Sequence, residues 1–339
     1  MRDRLDISLR ANHVLFLILF IAALFFGVMA SMTGDRFYLR LATEALILAG
    51  LALSIDILLG FTGLLSLGQA LYFGVGAYVS ALVLLQVPSF WLAVGAATGA
   101  SLLAGIAGGL IANRVRGVYF ALITFGMAQV AAKIVYNTRA LGASDGMIGI
   151  PVIEIPLGFV NLSTDKPLEL FLVALALIAL IYVGVSYLLS TPFGRVMIAL
   201  KSNEKRVPYL GYSTWAPRMV AYVLAAVIAG TVGGLYPMLR GFVAPELMFF
   251  KASGDALIMV IIGGTGTLVG AIWGALLLVM FKSVVGSWTE HHLIIVGVMF
   301  MSAVLFMKRG LIGLIKPLIE ERLIRREAER AMRGRETAA

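Results

Sequence analysis

The feature that most constrains this chain is a succession of apolar runs, each about 18 residues or longer. As helices, runs of this length can cross a hydrocarbon core of roughly 30 Å. The composition agrees, because 60% of the residues are hydrophobic and only 13% are charged, whereas soluble domains carry about twice that charge. Polar and apolar residues do not alternate within the runs, which argues against a membrane β-barrel. The sequence therefore predicts an all-α, polytopic transmembrane helical bundle.

The spacing of the runs predicts about eight crossings and one re-entrant element, within a range of about 8–10 membrane helices that includes broken, glycine-rich ones. Residues 252–281 form a run too long for one straight helix across a bilayer, with Gly263, Gly264 and Gly266 near its middle. We expect two half-helices that meet at these glycines, so that both ends return to the outer side. Glu44 and Asp56 lie near the ends of a predicted span, which favours placement at the membrane interface. The crossings are predicted at residues 14–32, 41–59, 60–85, 91–112, 117–136, 168–189, 219–237 and 293–307.

Three regions follow from this pattern: a cytoplasmic N-terminus (1–13), a membrane domain (14–307) and a basic amphipathic tail (308–339). Lysine and arginine in short loops mark the cytoplasmic side of a membrane. Their distribution places both termini in the cytoplasm. The first apolar run has no evident cleavage pattern after it, so it is interpreted as a retained span.

The longest polar interruption in the membrane domain is a basic segment, residues 190–217. One acidic residue, Glu204, stands among four basic ones: Arg195, Lys201, Lys205 and Arg206. Our hypothesis is that this segment is a docking element through which a separate ATPase moves the membrane helices. The alternative is a connecting loop whose charges only fix the topology.

Two other segments are candidates for contact with a solute. Ser66, Gly68 and Gln69 lie in a glycine-rich stretch that suits a broken helix lining a cavity, and Thr124 lies in the span at 117–136. The same glycines are also consistent with tight helix packing alone. A polar turn, Ser144, Asp145 and Gly146, could meet a solute or a delivery protein on the outer side, or be an ordinary turn.

Several chemistries are missing from the sequence. It contains no nucleotide-binding phosphate loop, no zinc-protease motif and no serine nucleophile elbow, so we expect a conduit rather than an enzyme. It has no cysteine, and the adjacent His291 and His292 lack further ligands, so no metal site is expected. The net charge of +9 is attributed to loops and tail near anionic lipid, not to a nucleic-acid partner.

Six segments together, from about Ala42 to Ile315, resemble one family: the LivM-type permease subunit of branched-chain amino acid ABC importers. The similar segments, in order and with similar spacing, are GFTGLLSLGQALYFGVGAY, RVRGVYFALITFGMAQV, LGASDGMIGIP, TPFGRVMIALKSNEKRVPYLGY and, in the last part of the chain, GFVAPELMFFKASGDALIMVIIGGTGTLVGAIWGA with FMKRGLIGLI.

The resemblance implies a multi-chain importer in the bacterial inner membrane. Its partners would be a second permease subunit, two ATPase subunits that bind ATP and magnesium, and a periplasmic solute-binding protein. It implies leucine, isoleucine or valine as solute, with urea or short amides as an alternative. An ion-driven secondary transporter and a scaffold without transport remain competing hypotheses.

A helix over 195–210 would dock on the ATPase, with Val196, Ile198 and Leu200 as anchors. The resemblance assigns to the coupling loop Gly194, Arg195, Asn203, Glu204, Arg206 and Gly211.

Overall fold

A computed structural model describes residues 2–32, 34–156, 161–288, 292–306, 310–313 and 316. The predicted amphipathic tail therefore lies almost entirely outside the described residues. The helices, in chain order, are α1 (Arg2–Met32), α2 (Arg36–Asp56), α3 (Gln69–Gln86), α4 (Phe90–Ala112), α5 (Val118–Asn137), α6 (Pro167–Ser190), α7 (Pro192–Asn203), α8 (Trp215–Gly233), α9 (Tyr236–Arg240), α10 (Phe250–Gly263), α11 (Val269–Trp288) and α12 (His292–Phe306).

The predicted helical membrane bundle is confirmed. Within the described residues, eight helices are long and apolar enough to cross a membrane. The span that contains α2 is the most enclosed, with 89% of its window buried, whereas α1, α4 and α5 each bury 28%. Helix α2 is therefore the centre of the bundle, and the others surround it.

Small residues allow the closest helix contacts in the bundle. A β-carbon added at Gly76 of α3 would overlap the Gly230 carbonyl of α8. Nearby, Ser80 donates a hydrogen bond to the Gly234 carbonyl at 2.7 Å, and the Tyr72 and Tyr222 hydroxyls lie 2.9 Å apart. Lipid tails are as apolar as these helices, so the hydrophobic effect does not favour contact between two helices in a membrane. Van der Waals and polar contacts such as these therefore hold α3 against α8.

Two short sheets lie on one side of the bundle, which we name the strand side. Strand β1 (Met147–Ile148) pairs antiparallel with β4 (Phe242–Val243), and β2 (Glu154–Pro156) pairs with β3 (Asn161–Ser163). The opposite side carries α7 and is named the basic side. On the basic side, Arg116 lies 3.3 Å from Glu204, which joins the α4–α5 loop to the central loop. The α4–α5 loop and the central loop thus lie on the same side of the bundle.

Two breaks interrupt the helices at the basic side. Helix α2 continues as a π-helix, Ile57–Thr62, and ends at Gly63 with φ of 74°, so the predicted span at 60–85 begins only at Gln69 of α3. The predicted break at the second glycine cluster is also confirmed, since α10 and α11 form an antiparallel hairpin around residues 264–268. Helix α11 is nevertheless a full-length span and not a half-helix.

Candidate functional site

Helix α7, in the middle of the basic segment, lies against the bundle through one face. Thr191 caps its start by accepting a hydrogen bond from the Gly194 amide at 3.2 Å, and Pro192 occupies the first turn, where no amide proton is needed. Met197 and Leu200 are 0% and 4% exposed. Leu200 therefore packs into its own chain and cannot anchor a partner as predicted.

The helix also ends earlier than expected. It stops at Asn203, and the predicted continuation to Leu210 is replaced by a turn and a 3₁₀ segment, Pro208–Leu210. The Asn203 side chain accepts a hydrogen bond from the Lys205 amide at 3.1 Å. Such local bonds compete with helix continuation, and Pro208 has no amide proton with which to continue the helical hydrogen bonds.

Lys201, in the last turn of α7, connects this helix to both breaks. Its Nζ donates a 2.6 Å hydrogen bond to the Gly60 carbonyl in the π-helix. A β-carbon added at Gly63 would lie 3.3 Å from Lys201 Cα, and one added at Gly266 would lie 3.5 Å from Lys201 Nζ. The two sequence segments that begin Thr62-Gly63 and Thr265-Gly266 therefore meet at the same lysine. Both glycines have positive φ, 74° and 78°.

Asp56 links the α10–α11 turn to the end of α2. It is 0% exposed, so at this end of the span it faces protein and not water. Its carboxylate accepts hydrogen bonds from the amides of Gly266 at 2.6 Å and Leu268 at 2.9 Å, which compensate for burying the charge. The Lys201 ammonium attracts the same carboxylate. We name Asp56, Gly60, Lys201 and the turn at 264–268 the junction.

A second set of contacts holds the end of the central loop. Glu204 accepts a hydrogen bond from Arg218 of α8 at 3.2 Å and pairs with Arg116 at 3.3 Å. Arg218, only 4% exposed, also donates to the Val115 carbonyl at 2.7 Å. Glu204 thus faces its own chain, as does the ammonium of Lys201 in the junction, while the charges of Arg195, Lys205 and Arg206 belong to exposed residues. The predicted glycines divide in the same way, with Gly194 buried and Gly211 exposed at a φ of 81°.

The loop also exposes an aromatic patch that the sequence reasoning missed. Tyr209, Leu210 and Tyr212 are 90%, 70% and 56% exposed. Exposed apolar clusters beside charged residues mark surfaces that contact a partner or a membrane interface. The run YLGYSTW is the signal that could have identified this patch.

The four candidate path residues come together at the start of α3. Thr124 Oγ1 accepts a hydrogen bond from the Leu67 amide at 3.2 Å, and Gln69 Nε2 donates to Ser66 Oγ at 3.4 Å. Gly68 packs on the Thr124 backbone. Ser66, Gln69 and Thr124 are all 0% exposed, and Gln69 Oε1 accepts no hydrogen bond among the described residues. In the conformation described, this cluster is a buried packing contact in which one acceptor, Gln69 Oε1, has no hydrogen-bond donor among the described residues.

The candidate outer turn lies on the strand side. Ser144 donates a hydrogen bond to the Asp145 carboxylate at 3.1 Å, and both residues are exposed. Gly146 is buried, with a φ of 74°, and an added β-carbon would overlap the Val243 carbonyl. Gly146 therefore serves the pairing of β1 with β4, and only the two residues before it are accessible to a partner. Within the described residues, no group of three His, Cys, Asp or Glu is placed to hold a metal.

Comparison with known proteins identifies the family. Residues 37–304 match the family described as the branched-chain amino acid transport system permease component. The chain belongs to this family. It is 29% identical over 301 residues to the high-affinity branched-chain amino acid transport permease LivM of Salmonella typhimurium, covering 83% of this chain and 71% of that protein.

Other relatives show that members of the family serve different solutes. LivM of Escherichia coli is 28% identical over the same shares of both chains. The autoinducer 2 import permease LsrC of an Enterobacter species is 28% identical over 287 residues, covering 82% of this chain and 80% of LsrC. No solved structure matches the chain. The LivM resemblance noted in the sequence is thus confirmed, and the solute is a separate question.

Proposed function

We propose that this permease is the membrane subunit of a binding-protein-dependent ABC importer for branched-chain amino acids, energised by separate ATPase subunits at the 190–217 loop. The observation that supports this most is Lys201. A surface helix between two spans is tied by this side chain to the end of the central helix α2. A force applied to α7 from the basic side therefore has a direct path into the bundle.

The junction suggests how movement is passed on. Lys201 holds the π-helix of α2, and Asp56 in turn holds the α10–α11 turn. Displacement of α7 by a closing ATPase dimer would move α2 and the hairpin together. Our proposal assigns no bond-breaking step to this chain, because ATP would be bound and hydrolysed with magnesium in the partner.

The partner surfaces follow from the two sides. The exposed charges of the loop, together with Tyr209 and Tyr212, would contact the ATPase. Ser144 and Asp145 on the strand side would contact the solute-binding protein. A second permease subunit would complete the path. This arrangement requires both termini and the basic side to face the cytoplasm of a bacterial inner membrane.

The absence of cysteine makes the sidedness directly testable. Ser202 and Ser144 are both exposed, on the basic and strand sides respectively. In intact cells, a membrane-impermeant maleimide should label Ser144→Cys and not Ser202→Cys, and inside-out vesicles should give the reverse. Labelling of Ser202→Cys from outside intact cells contradicts the proposal.

Charge reversal tests the coupling function. Arg195→Glu combined with Arg206→Glu should abolish transport-linked ATP hydrolysis in reconstituted vesicles, while the protein still inserts. The reason is that the two glutamates would repel the ATPase groups that the two arginines attract. Arg139→Glu, an exposed arginine on the strand side, is the matched control and should retain hydrolysis. Uptake that persists without any ATPase subunit and follows an ion gradient would instead support a secondary transporter.

The solute is tested on the cognate binding protein. Leucine, isoleucine and valine should bind more tightly than urea or short amides. Because LsrC belongs to an autoinducer 2 import system, autoinducer 2 is included in the same panel. Tighter binding of any of these other compounds would reassign the solute without changing the permease role.

A further inference from the structure

A large charged cavity opens at the strand-side half of the bundle, about 790 Å³ in volume. Its wall consists of the first half of α2, the α9 segment, the first turns of α10 and the last part of α11. These elements separate here, whereas on the basic side the junction holds α2 against the α10–α11 turn. The cavity therefore lies on the strand side of the junction.

Two ion pairs line this cavity, and each contributes one positive and one negative side chain. Arg240 contacts both oxygens of Glu44 at 2.6 Å, and Lys282 contacts Asp255 at 2.7 Å. Lys282 lies inside the candidate span Val269–Gly286. A charge within a membrane span needs protein or water around it, since its transfer into hydrocarbon costs several kcal/mol. Asp255 supplies that protein partner, and the open volume beside the pair leaves room for further polar groups.

Apolar side chains form the rest of the wall. Leu48, Met259 and Val279 lie on α2, α10 and α11, and Ala256 leaves space between them. The combination of both charge signs with an apolar surface matches one chemical class, the zwitterionic α-amino acid with a hydrocarbon side chain. The volume lies within the range of about 300–1,000 Å³ that is usual for small-molecule sites.

We propose that this cavity is the site where the permease receives a zwitterionic amino acid, and this rests on the proposed function. The solute ammonium would share the carboxylates of Glu44 and Asp255. The solute carboxylate would share Arg240 and Lys282, and its side chain would contact Leu48 or Val279. When the solute binds, its ammonium and carboxylate join the ion pairs as one positive and one negative group. The net charge of the cavity stays the same, and no charge is left buried without a partner. The site is distinct from the enclosed cluster of Ser66, Gln69 and Thr124.

Cysteine labelling of the complete importer in vesicles tests the site. Ser283 lines the charged cavity, whereas Met280, on the same helix, lines a separate apolar crevice. A cationic methanethiosulfonate should modify Ser283→Cys at least about tenfold faster than Met280→Cys. Leucine, at a concentration about ten times the dissociation constant of its complex with the importer, should slow the modification of Ser283→Cys about tenfold. Leucinamide and isovalerate, which each lack one charge, should slow it little. An unreactive Ser283→Cys, equal rates at both positions, or equal protection by the singly charged analogues overturns the proposal.

A paired neutralisation gives a second measurement. Asp255→Asn with Lys282→Gln keeps the net charge unchanged and removes one pair from the cavity. The KM for leucine uptake should rise about tenfold or more. Lys166→Gln with Glu169→Gln removes a pair of similar length, 2.8 Å, at the protein surface and should leave the KM unaltered. An unchanged KM in the first variant contradicts the proposal.

The same vesicles separate this inference from the function on which it rests. If the unmodified importer fails to take up leucine when ATP is supplied, the proposed function is wrong. If uptake is normal and leucine does not protect Ser283→Cys, only the placement of the site is wrong.

Discussion

Replacing Asp56 with asparagine tests the junction with the least change in shape. The carboxylate accepts one hydrogen bond from the Gly266 amide and one from the Leu268 amide. Asparagine keeps one oxygen acceptor and turns an NH₂ group toward the other amide. One buried N–H is then left unsatisfied, which costs about 1–3 kcal/mol.

This loss is local, so hydrogen exchange is the suitable assay. If the turn opens more easily by about 1–3 kcal/mol, exchange of its amides accelerates about 5- to 150-fold. Mass spectrometry of peptides that cover residues 264–268 would measure this rate in the detergent-solubilised protein. Peptides from α4 serve as the internal reference, because α4 lies away from the junction.

Glu44→Gln is the matched control, since it makes the same carboxylate-to-amide change on the same helix. Glu44 pairs with Arg240 on the strand side, distant in sequence and position from the turn. It should leave exchange at 264–268 unchanged. If Asp56→Asn does not accelerate exchange in the turn, or if Glu44→Gln accelerates it equally, the reasoning about the junction is refuted.

Three further predictions concern coupling and packing. Lys201→Met removes the hydrogen bond to the π-helix and should reduce uptake per ATP hydrolysed severalfold in vesicles, whereas Lys205→Met, an exposed lysine of the same loop, should not. Arg218→Gln removes a nearly buried charge that bonds Glu204 and the Val115 carbonyl, and should lower the unfolding free energy by about 1–3 kcal/mol in denaturant titration, because Glu204 keeps Arg116 as a partner. Gly76→Ala forces a β-carbon onto an α8 carbonyl and should lower the thermal midpoint, while Gly184→Ala, with nothing within 4 Å, should leave it unchanged.

The long apolar runs were sufficient to predict most of the spans. Length and composition fix which segments can cross a membrane, because every backbone polar group in lipid must be satisfied within a helix. The predicted crossings put the loop after residue 112 and the central loop on the same side of the bundle, and Arg116 lies 3.3 Å from Glu204 there. The break in residues 252–281 was predictable because one helix of that length exceeds the bilayer.

The role of Asp56 could not be predicted in the same way. Its position near a span end indicated an interface, but its partners are amides of residues 266 and 268, more than 200 positions later in the chain. Leu200 was misassigned for a similar reason, since periodicity alone does not say whether an apolar face meets its own bundle or a partner. The aromatic residues of the patch at Tyr209 are visible in the sequence, but only the fold shows that they are exposed together.

The sequence by itself determined that this chain is a multi-pass helical membrane protein of the permease family with a basic segment in its middle, since these properties depend on local composition and order. Only the tertiary structure decided that Lys201 meets both glycine turns and that Asp56 closes one of them. Only it placed two ion pairs around one cavity. Such contacts join residues far apart in the chain, and their partners are set by how the helices pack, which no local pattern encodes.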